Sequence, residues 1–254
     1  MMNIYGAEHH LLVLSDTIDA DEHAHSFVQV TIALRGELDI ALDGRTIHCN
    51  GIAMDSNVLH RLNGTGTPLM LLLIDGTSDI AAGFRQQIDG CGYCLLPPEL
   101  VEKISRFVQE QCTGITDSSS YSLFFRQLMK LFGLDNVQTG ISDTRIQDLI
   151  TLIRDCRDSE HSVGEFANQL GLSGSRLSHL FKENTGTSLS GYIVLHKLQK
   201  AVYLIFNGAP ITEAAMEAGF DSPSHFAATS KRMLGMSARE IRRDSVFLKV
   251  SCLH

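Results

Sequence analysis

One pattern occurs twice within residues 162–243, and this internal repeat constrains the fold more than any other feature of the chain. Ala167 recurs as Ala215, an offset of 48 residues, whereas Lys182 recurs as Lys231, an offset of 49. One copy therefore carries a single extra residue in a turn. The repeat predicts two copies of the same small structural unit.

Each copy has the features of a helix-turn-helix unit. Ala167 in the middle of a helix lets a second helix cross closely, and Gly171 can adopt the left-handed conformation that ends the first helix. Apolar residues then resume at helical spacing, at Leu177, Leu180 and Phe181. The second helix thus buries one face, and its other face can enter a DNA major groove.

The predicted helix ends agree with this interpretation. Ser162 and Glu165 fit a capping box, and Ser173 is placed to cap the second helix. In the second copy Pro210 interrupts the chain just before a helix with Glu213 in its first turn.

A long helix is predicted between the two copies. Its apolar stripe consists of Tyr192, Leu195, Leu198, Val202 and Ile205. About 18 helical residues span roughly 27 Å. Such a helix would hold two recognition helices about one turn of the duplex apart, near 34 Å.

Residues 142–243 resemble the DNA-binding domain of the AraC/XylS family of transcription regulators, in which a long helix joins two helix-turn-helix units. The matching segments are 177–182, 186–188, Tyr192 with Leu198 and Ala201, 211–215, 219–226 and 235–237. Three positions depart from the family pattern: Lys197 replaces Arg, Ser230 replaces Phe and Ala238 replaces Pro. Loss of the aromatic ring at Ser230 is expected to loosen the core of the second unit.

The exposed positions of the two recognition helices are the candidate DNA contacts. We expect Arg176 to form a bidentate contact with a guanine edge and Lys182 to contact phosphate. Lys231 and Arg232 are expected to contact the DNA backbone. The full candidate set is Ser175, Arg176, Ser178, His179, Lys182, Ser222, Pro223, Ser224, His225, Ala228, Lys231 and Arg232.

The charge is distributed unevenly along the chain. Residues 1–141 contain 8 Lys and Arg against 17 Asp and Glu, which gives −9, while residues 142–254 contain 13 against 12, which gives +1. The overall charge of −8 therefore belongs to the N-terminal part, and a C-terminal part with clustered cations can still bind phosphates. No membrane span or signal peptide is predicted, so we expect a cytoplasmic protein with reduced cysteines.

The N-terminal part is predicted to consist of short strands. Val28–Leu34 is rich in β-formers, Leu38–Leu42 alternates, and Asp43-Gly44 is a strong hairpin signal. Strands are also expected at 47–54 and 69–74. Many short strands favour a small barrel or jelly roll. The segment resembles the cupin-like sensor domain found at the front of many AraC-type regulators, through His23-Ala24-His25, Gly36, Gly51 and His60.

The cupin resemblance implies a binding site at His23, His25, Gln29 and His60. If His23 and His25 lie on one strand, they face the same way, and imidazole suits zinc, copper, nickel or iron. The alternatives are histidines that hydrogen-bond an organic effector, or that merely line the rim. The sequence thus leaves open a divalent transition metal or a small molecule as the effector.

Cys91 and Cys94 form a lone Cys-x-x-Cys pair. One such pair is half of a zinc site, and a redox role would require a βαβ setting that is not apparent. Two neighbouring cysteines without a function are the default, and a thiol or metal sensor is the alternative.

Two helices, at 99–111 and 121–132, are predicted after Pro97-Pro98. They either pack on their own barrel or, as the resemblance implies, pair two subunits in a homodimer.

Residues 133–141 are predicted to form an interdomain linker, and Ser142 or Asp143 can cap the next helix. The predicted class is α+β: a cupin-like domain at 1–132 and a helical DNA-binding domain at 142–254, with helix-turn-helix units at about 162–185 and 210–234.

The resemblance implies a regulator that binds double-stranded promoter DNA and senses an effector in its barrel. It would contact RNA polymerase if it is an activator, and the residues do not distinguish activation from repression. The rival hypothesis is a cupin-type metalloenzyme, or a metal or thiol sensor fused to a DNA-binding domain. An enzyme would need an open metal position and a substrate acid or base, and Asp55 is the only acidic residue between Gly51 and His60.

Overall fold

The computed structural model describes residues 2–7, 9–134, 141, 143–155, 162–234, 239 and 245–249. Its strands are β1 Met2–Ala7, β2 His10–His23, β3 Phe27–Ala33, β4 Leu38–Leu42, β5 Arg45–Cys49, β6 Gly51–Met54, β7 His60–Asp75, β8 Tyr93–Leu95 and β9 Ser245–Lys249. Its helices are α1 Asp79–Ile88, α2 Pro98–Gln111, α3 Ser118–Leu131, α4 Thr144–Asp155, α5 Val163–Gln169, α6 Gly174–Thr185, α7 Leu189–Phe206, α8 Ile211–Glu217 and α9 Pro223–Leu234. Residues 135–140 of the predicted linker, the possible cap Ser142, the matching segment 235–237 and Ala238 lie outside the described residues.

The strands form a curled sheet in the N-terminal half. The hydrogen-bonded order is β8-β6-β3-β7-β2-β1-β9, and β4 pairs with both β5 and β7. β7 bonds to β3 near its end and to β4 near its start, while β2 accompanies it for most of its length. The last strand, β9, returns to pair in parallel with β1. The predicted α+β class, with a sheet-rich N-terminal part and a helical C-terminal part, is confirmed.

Both faces of the central strands are buried. Leu69, Leu71 and Leu73 of β7 face the interior of the curl, whereas Met70 and Leu72 face a separate cluster shared with α1, α2 and α3. This explains the continuous apolar run of β7, which is typical of a strand covered on both sides.

The helices that cover the sheet differ in part from the sequence expectation. α1 was not predicted; Ser78 caps it by accepting a hydrogen bond from Ala81 N. α3 starts three residues earlier than expected, because Asp117 and Ser120 form a capping box that no apolar periodicity reveals. The predicted strand at 47–54 is two strands, β5 and β6, separated at Asn50.

The repeat forms two helix-turn-helix units, α5–α6 and α8–α9, joined by the 18-residue α7. The expected capping box between Ser162 and Glu165 is present, and Ser173 caps α6. Gly171 and Gly219 adopt positive φ angles of 64° and 84° at the equivalent turns. Local sequence signals therefore determine the start and end of these helices.

The two units have different cores. The first unit packs with α4 and the start of α7 in its own cluster, around Phe181 and Tyr192. The core of the second unit belongs to the cluster that also fills the curled sheet, so that Phe226 and Leu71 are members of one apolar region. Ser230, where the family pattern has Phe, is fully buried in the second unit.

Several polar contacts join the two halves. Thr187 Oγ1 donates a hydrogen bond to the Ser26 carbonyl at 3.0 Å, and Lys231 Nζ donates one to the Asp19 carbonyl at 3.1 Å. Arg154 Nη2 lies 3.6 Å from the buried carboxylate of Asp75. The C-terminal half is thus docked on the sheet through α4, the start of α7 and the end of α9.

Within the described residues, the helices are too short or too polar to cross a membrane.

We expect Phe181→Ala to lower the free energy of unfolding by about 3–5 kcal/mol, because the ring is fully buried and contacts Tyr192 with ring centroids 5.3 Å apart. Urea unfolding followed by circular dichroism measures the change. Glu183→Ala, on the exposed side of the same helix, is the control and should change stability by no more than about 0.5 kcal/mol. An unchanged unfolding midpoint for Phe181→Ala would contradict the assigned core.

Candidate metal centre and nucleic-acid interface

Three histidines meet at one end of the curled sheet. His23 ends β2 and His60 starts β7, and these two residues are direct partners in the sheet register. His25 lies in the three-residue connection from β2 to β3, and not on a strand with His23 as the sequence suggested. The convergence of His23 and His25 therefore depends on this connection and not on strand alternation.

The three side chains are buried and close together. One ring nitrogen from each of His23, His25 and His60 lies within 4.8 Å of the other two. The ring centroids of His23 and His60 are 4.4 Å apart, and those of His25 and His60 are 5.1 Å apart. Each residue is at most 6% exposed, so water has little access to the group.

Hydrogen bonds at the far side of each ring determine which nitrogen carries the proton. The Nδ1 atoms of His23 and His60 donate to the carbonyls of Asp21 and Val58, and Nε2 of His25 donates to Oε1 of Gln29. The remaining nitrogens then carry lone pairs. Two of them, Nδ1 of His25 and Nε2 of His60, are buried and have no hydrogen-bond partner.

Gln29 supports His25 from behind. Its Oε1 atom lies 2.9 Å from His25 Nε2, and its amide nitrogen donates to Thr31 Oγ1 at 3.0 Å. The Thr31 contact thus orients the amide so that its oxygen faces the imidazole. Thr31 had no signal in the sequence, because its role depends only on the position of Gln29.

The buried histidines remain neutral at physiological pH. Burial is the main cause that lowers the pKa of His25 to about 3 and the pKa of His60 to about 4. Burial also lowers the pKa of His23, while the hydrogen bond to the Asp21 carbonyl raises it. Neutral imidazoles with lone pairs are the form that binds a metal ion.

The donor set fits a divalent transition metal ion. Zinc binds imidazole nitrogens at about 2.0–2.1 Å, so its ligands can be at most about 4.2 Å apart, and small side-chain rotations would close the present spacing. Outer hydrogen bonds from each imidazole to a carbonyl or amide oxygen are the usual support for metal-bound histidines. Two orphaned buried nitrogens are the feature that an ion would satisfy.

Asp55, Cys91 and Cys94 do not belong to the histidine cluster. Asp55 Oδ1 accepts a hydrogen bond from Arg85 Nε at 2.8 Å, so its charge is paired with α1. Cys91 is exposed and Cys94 lies on β8, where burial raises the pKa of its thiol. A raised pKa disfavours the reactive thiolate. Among the described residues, only the three histidines cluster closely enough to hold a metal ion.

The candidate DNA contacts of the first unit lie on the open face of α6. Ser175, Arg176, His179 and Lys182 are exposed, and Ser178 is partly exposed with its hydroxyl bonded to the Gly174 carbonyl. His179 Nδ1 lies 3.3 Å from Glu183, one turn further along. The face is thus open to a nucleic acid.

The candidate DNA contacts of the second unit have different surroundings at the two ends of α9. Ser224, His225 and Ala228 are exposed, Ser222 and Pro223 are partly exposed, and Lys231 and Arg232 are exposed on the last turn. That last turn also contacts β2, where Lys231 bonds to the Asp19 carbonyl. Asp19 had no sequence signal, because its backbone oxygen forms the contact.

Comparisons with known proteins agree with this geometry. A family model described as a helix-turn-helix domain matches residues 166–244. The chain is 28% identical over 138 residues to the HTH-type transcriptional activator RhaS of Escherichia coli (strain SMS-3-5 / SECEC), an alignment that covers 53% of this chain and spans about half, 50%, of that relative. The RhaS of Escherichia coli O9:H4 (strain HS) is 28% identical over 254 residues, covering 89% of this chain and 88% of the relative.

Solved structures share the fold of the whole chain. A crystal structure of an apo variant of ToxT from Vibrio cholerae strain SCE256 aligns with a TM-score of 0.60 at 12% identity, covering 91% of this chain and 96% of that one. The unsaturated fatty acid bound wild-type ToxT from the same strain aligns with a TM-score of 0.53 at 16% identity, covering 92% and 95%. At these identities the likeness concerns the fold alone.

We expect the purified chain to bind one Zn²⁺ ion, measured by native mass spectrometry and by competition with a chromogenic chelator. Gln29→Leu keeps the side-chain volume but removes the acceptor behind His25, and should weaken Zn²⁺ affinity by about 10–100-fold. His60→Ala should abolish binding, while His48→Ala, an exposed histidine on β5, should leave it unchanged. Equal Zn²⁺ affinity for His60→Ala and the wild-type chain would contradict the assigned site.

Proposed function

Because the chain belongs to the AraC/XylS family of transcription regulators, we propose that it binds promoter DNA through α6 and α9 and responds to an effector bound in its N-terminal half. The effector that the site chemistry favours is a divalent transition metal ion at His23, His25 and His60. One observation supports DNA binding above all: two helix-turn-helix units, joined by the single helix α7, each expose a polar face.

The residue types on α6 suit direct reading of DNA bases. Arg176 lies in the first turn of the helix, which is the part of a recognition helix that reaches base edges. Its planar guanidinium can donate two hydrogen bonds to a guanine. Lys182, two turns later, is placed to bind phosphate as a point charge.

The face of α9 suits a weaker contact with bases. Ser224 and Ala228 are small, and His225 is bonded to Asp221 at 3.0 Å, which reduces its freedom to donate to a base. Lys231 and Arg232 supply the charge for the DNA backbone. We therefore assign most of the sequence specificity to α6.

A metal ion at the three histidines would link the connection between β2 and β3 to the paired ends of β2 and β7. His23 and His60 belong to the paired ends of β2 and β7, and His25 belongs to the connection that follows. When bound, the ion supplies a double positive charge and a rigid link among the three. The protein supplies the protonation state through the Asp21 and Val58 carbonyls and the Gln29 amide.

We propose a sensor site and not the active site of a metalloenzyme. Catalysis would require a positioned acid or base beside the ion. Asp55, the acidic residue nearest to His60 in the loop, is instead paired with Arg85. The relatives named above are transcription activators, which agrees with a binding role for the histidines.

A second effector candidate is an organic anion in a mainly apolar cavity of the N-terminal half. This cavity, of about 710 Å³, is lined by aromatic rings of His10, Tyr121 and Phe125, with Arg126 and Lys130 at its margin. His10 and Tyr121 are bonded to each other at 2.8 Å, which leaves an aromatic wall. An apolar body with one carboxylate would match this lining.

We expect Arg176→Ala to lower affinity for a duplex that the wild-type chain selects from a random pool, by about 1–3 kcal/mol, and to relax base preference at one position. Fluorescence anisotropy at fixed salt measures the affinity, and repeated selection measures the preference. Arg106→Ala, an exposed arginine on α2, is the control. Unchanged affinity and preference for Arg176→Ala would remove α6 from the proposed DNA contact.

We propose that the chain forms a homodimer through α3, which leaves Leu123 55% exposed and Leu131 36% exposed. Exposed apolar residues on one helix are typical of an interface between subunits. We expect Leu123→Lys to shift native mass spectra from dimer to monomer. Leu59→Lys, at a site 48% exposed in the loop before β7, should leave the dimer intact. A wild-type monomer, or dimer loss with Leu59→Lys alone, would contradict this interface.

A further inference from the structure

His225 occupies the position in the second unit that Arg176 occupies in the first. The two recognition helices align at an offset of 49 residues, which relates Arg176 to His225, and each is the third residue of its helix. Arg176 N donates a hydrogen bond to Ser173 Oγ at 3.2 Å. His225 N donates one to Ser222 Oγ at 3.1 Å. The two side chains therefore start from equivalent points in the first turn of a recognition helix, which is the part that reaches base edges.

Two neighbours hold the imidazole ring of His225. Its Nδ1 atom lies 3.0 Å from Oδ2 of Asp221, one turn earlier in the chain. The ring also meets the ring of Phe220 edge-on, with centroids 5.4 Å apart and planes at 85°. Phe220 is buried and packs on Phe226 in the core of the second unit. The orientation of the imidazole is thus tied to this core through Phe220 and to the segment before α9 through Asp221.

The contact with Asp221 determines which ring nitrogen carries the proton. An ionised carboxylate only accepts hydrogen bonds, so Nδ1 of His225 is the donor. In the neutral imidazole Nε2 then carries a lone pair and acts as an acceptor. The side chain keeps 42% of its area exposed, and this area is available to a base in the groove.

We propose that His225 reads one base of the operator by accepting a hydrogen bond at Nε2 from the major-groove amino group of adenine or cytosine, with Asp221 as the residue that positions it. This inference rests on the proposed function, in which α9 lies against DNA. It deepens that function, because it names the base-reading atom of the second unit and the bases that this atom selects.

The major-groove edges of the bases give the direction of the preference. Adenine and cytosine present an amino group there, whereas guanine presents two acceptors and thymine presents one acceptor and a methyl group. An acceptor nitrogen therefore pairs with adenine or cytosine, and at guanine it would face a second acceptor. This preference is opposite to that of Arg176, whose guanidinium only donates and so selects guanine.

The surroundings of His225 favour it over the other exposed histidine as a base reader of fixed tautomer. Ala228, one turn later on α9, is exposed and has no polar group that would compete for the base. His179 on α6 has a similar contact, since its Nδ1 lies 3.3 Å from Glu183. Its side chain is 71% exposed, against 42% for His225, so its ring is less constrained.

The experiment selects duplexes from a random pool at pH 8 with the full-length wild-type chain and with His225→Ala, and compares base preference position by position. In the wild-type chain we expect one position at which adenine or cytosine is preferred over guanine and thymine by about three- to tenfold, the contribution of one hydrogen bond. His225→Ala should remove this preference and leave the guanine preference assigned to Arg176 unchanged.

Asp221→Ala and Asp221→Asn form a matched pair for the positioning role. Both remove the same negative charge and should raise the affinity for all duplexes alike. Only Asp221→Asn keeps an oxygen that accepts from Nδ1–H, so it should retain the adenine or cytosine preference, whereas Asp221→Ala should reduce it to about twofold or less. A purely structural role of Asp221 would not change the preference at this one position alone.

A preference for guanine or thymine at the position that His225→Ala alters, or an unchanged selection by His225→Ala, would overturn the inference. Equal preferences for Asp221→Ala and the wild-type chain would also overturn it, because base reading would then not depend on the tautomer that Asp221 determines. If the inference alone fails, the wild-type chain still selects a sequence whose preference Arg176→Ala relaxes. If the wild-type chain selects no sequence, the proposed function fails together with the inference.

Discussion

The three-residue connection Ala24–Ser26 determines the shape of the N-terminal half. β2 and β7 pair along their length, from His10 with Ile74 to His23 with His60, and Phe27 then pairs with Asp75. A straight β7 of 16 residues would separate its ends by about 50 Å. The four Cα–Cα steps from His23 to Phe27 span at most about 14 Å. His60 lies about 5.5 Å from its partner His23, and Asp75 lies about 5.5 Å from its partner Phe27. The two ends of β7 must therefore lie within about 25 Å of each other. The ribbon must therefore curl back on itself, which the register shifts in β2 and the positive φ of Gly66 permit.

The same connection joins the histidine site to the contact between the halves. His25 brings the third imidazole to the pair on the strand ends, and the next residue, Ser26, accepts the hydrogen bond from Thr187. Gly191 in the first turn of α7 lies so close that an added Cβ would meet Ser26 Cβ at 3.2 Å. An ion bound by His25 would therefore lie one residue along the chain from Ser26, which contacts the start of α7. The end of α9 contacts β2, the strand that ends at His23. The start of α7 and the end of α9 therefore both contact segments that carry the histidines.

The parts of this structure that the sequence predicted are those determined by near neighbours. The capping box at Ser162, the glycine turn at Gly171 and the helical stripe of α7 each depend on residues within two turns, and all are present. The prediction that His60 and His23 share one binding site rests on the family resemblance. The two residues are 37 positions apart, so no pattern of neighbouring residues predicts that they meet. The tautomers, the position of Gln29 behind His25 and the docking of α9 depend on how distant segments meet, and so have no pattern along the chain.

The cores of the two helix-turn-helix units are filled in different ways. Phe181 fills the first unit, whose cluster is separate from the sheet, while the equivalent position in the second unit is the small Ser230. A serine supplies little apolar area, and the second unit shares its cluster with the interior of the curled sheet instead. The core of the second unit consequently depends on docking on the sheet, whereas the core of the first unit is filled by α4, α5, α6 and the start of α7.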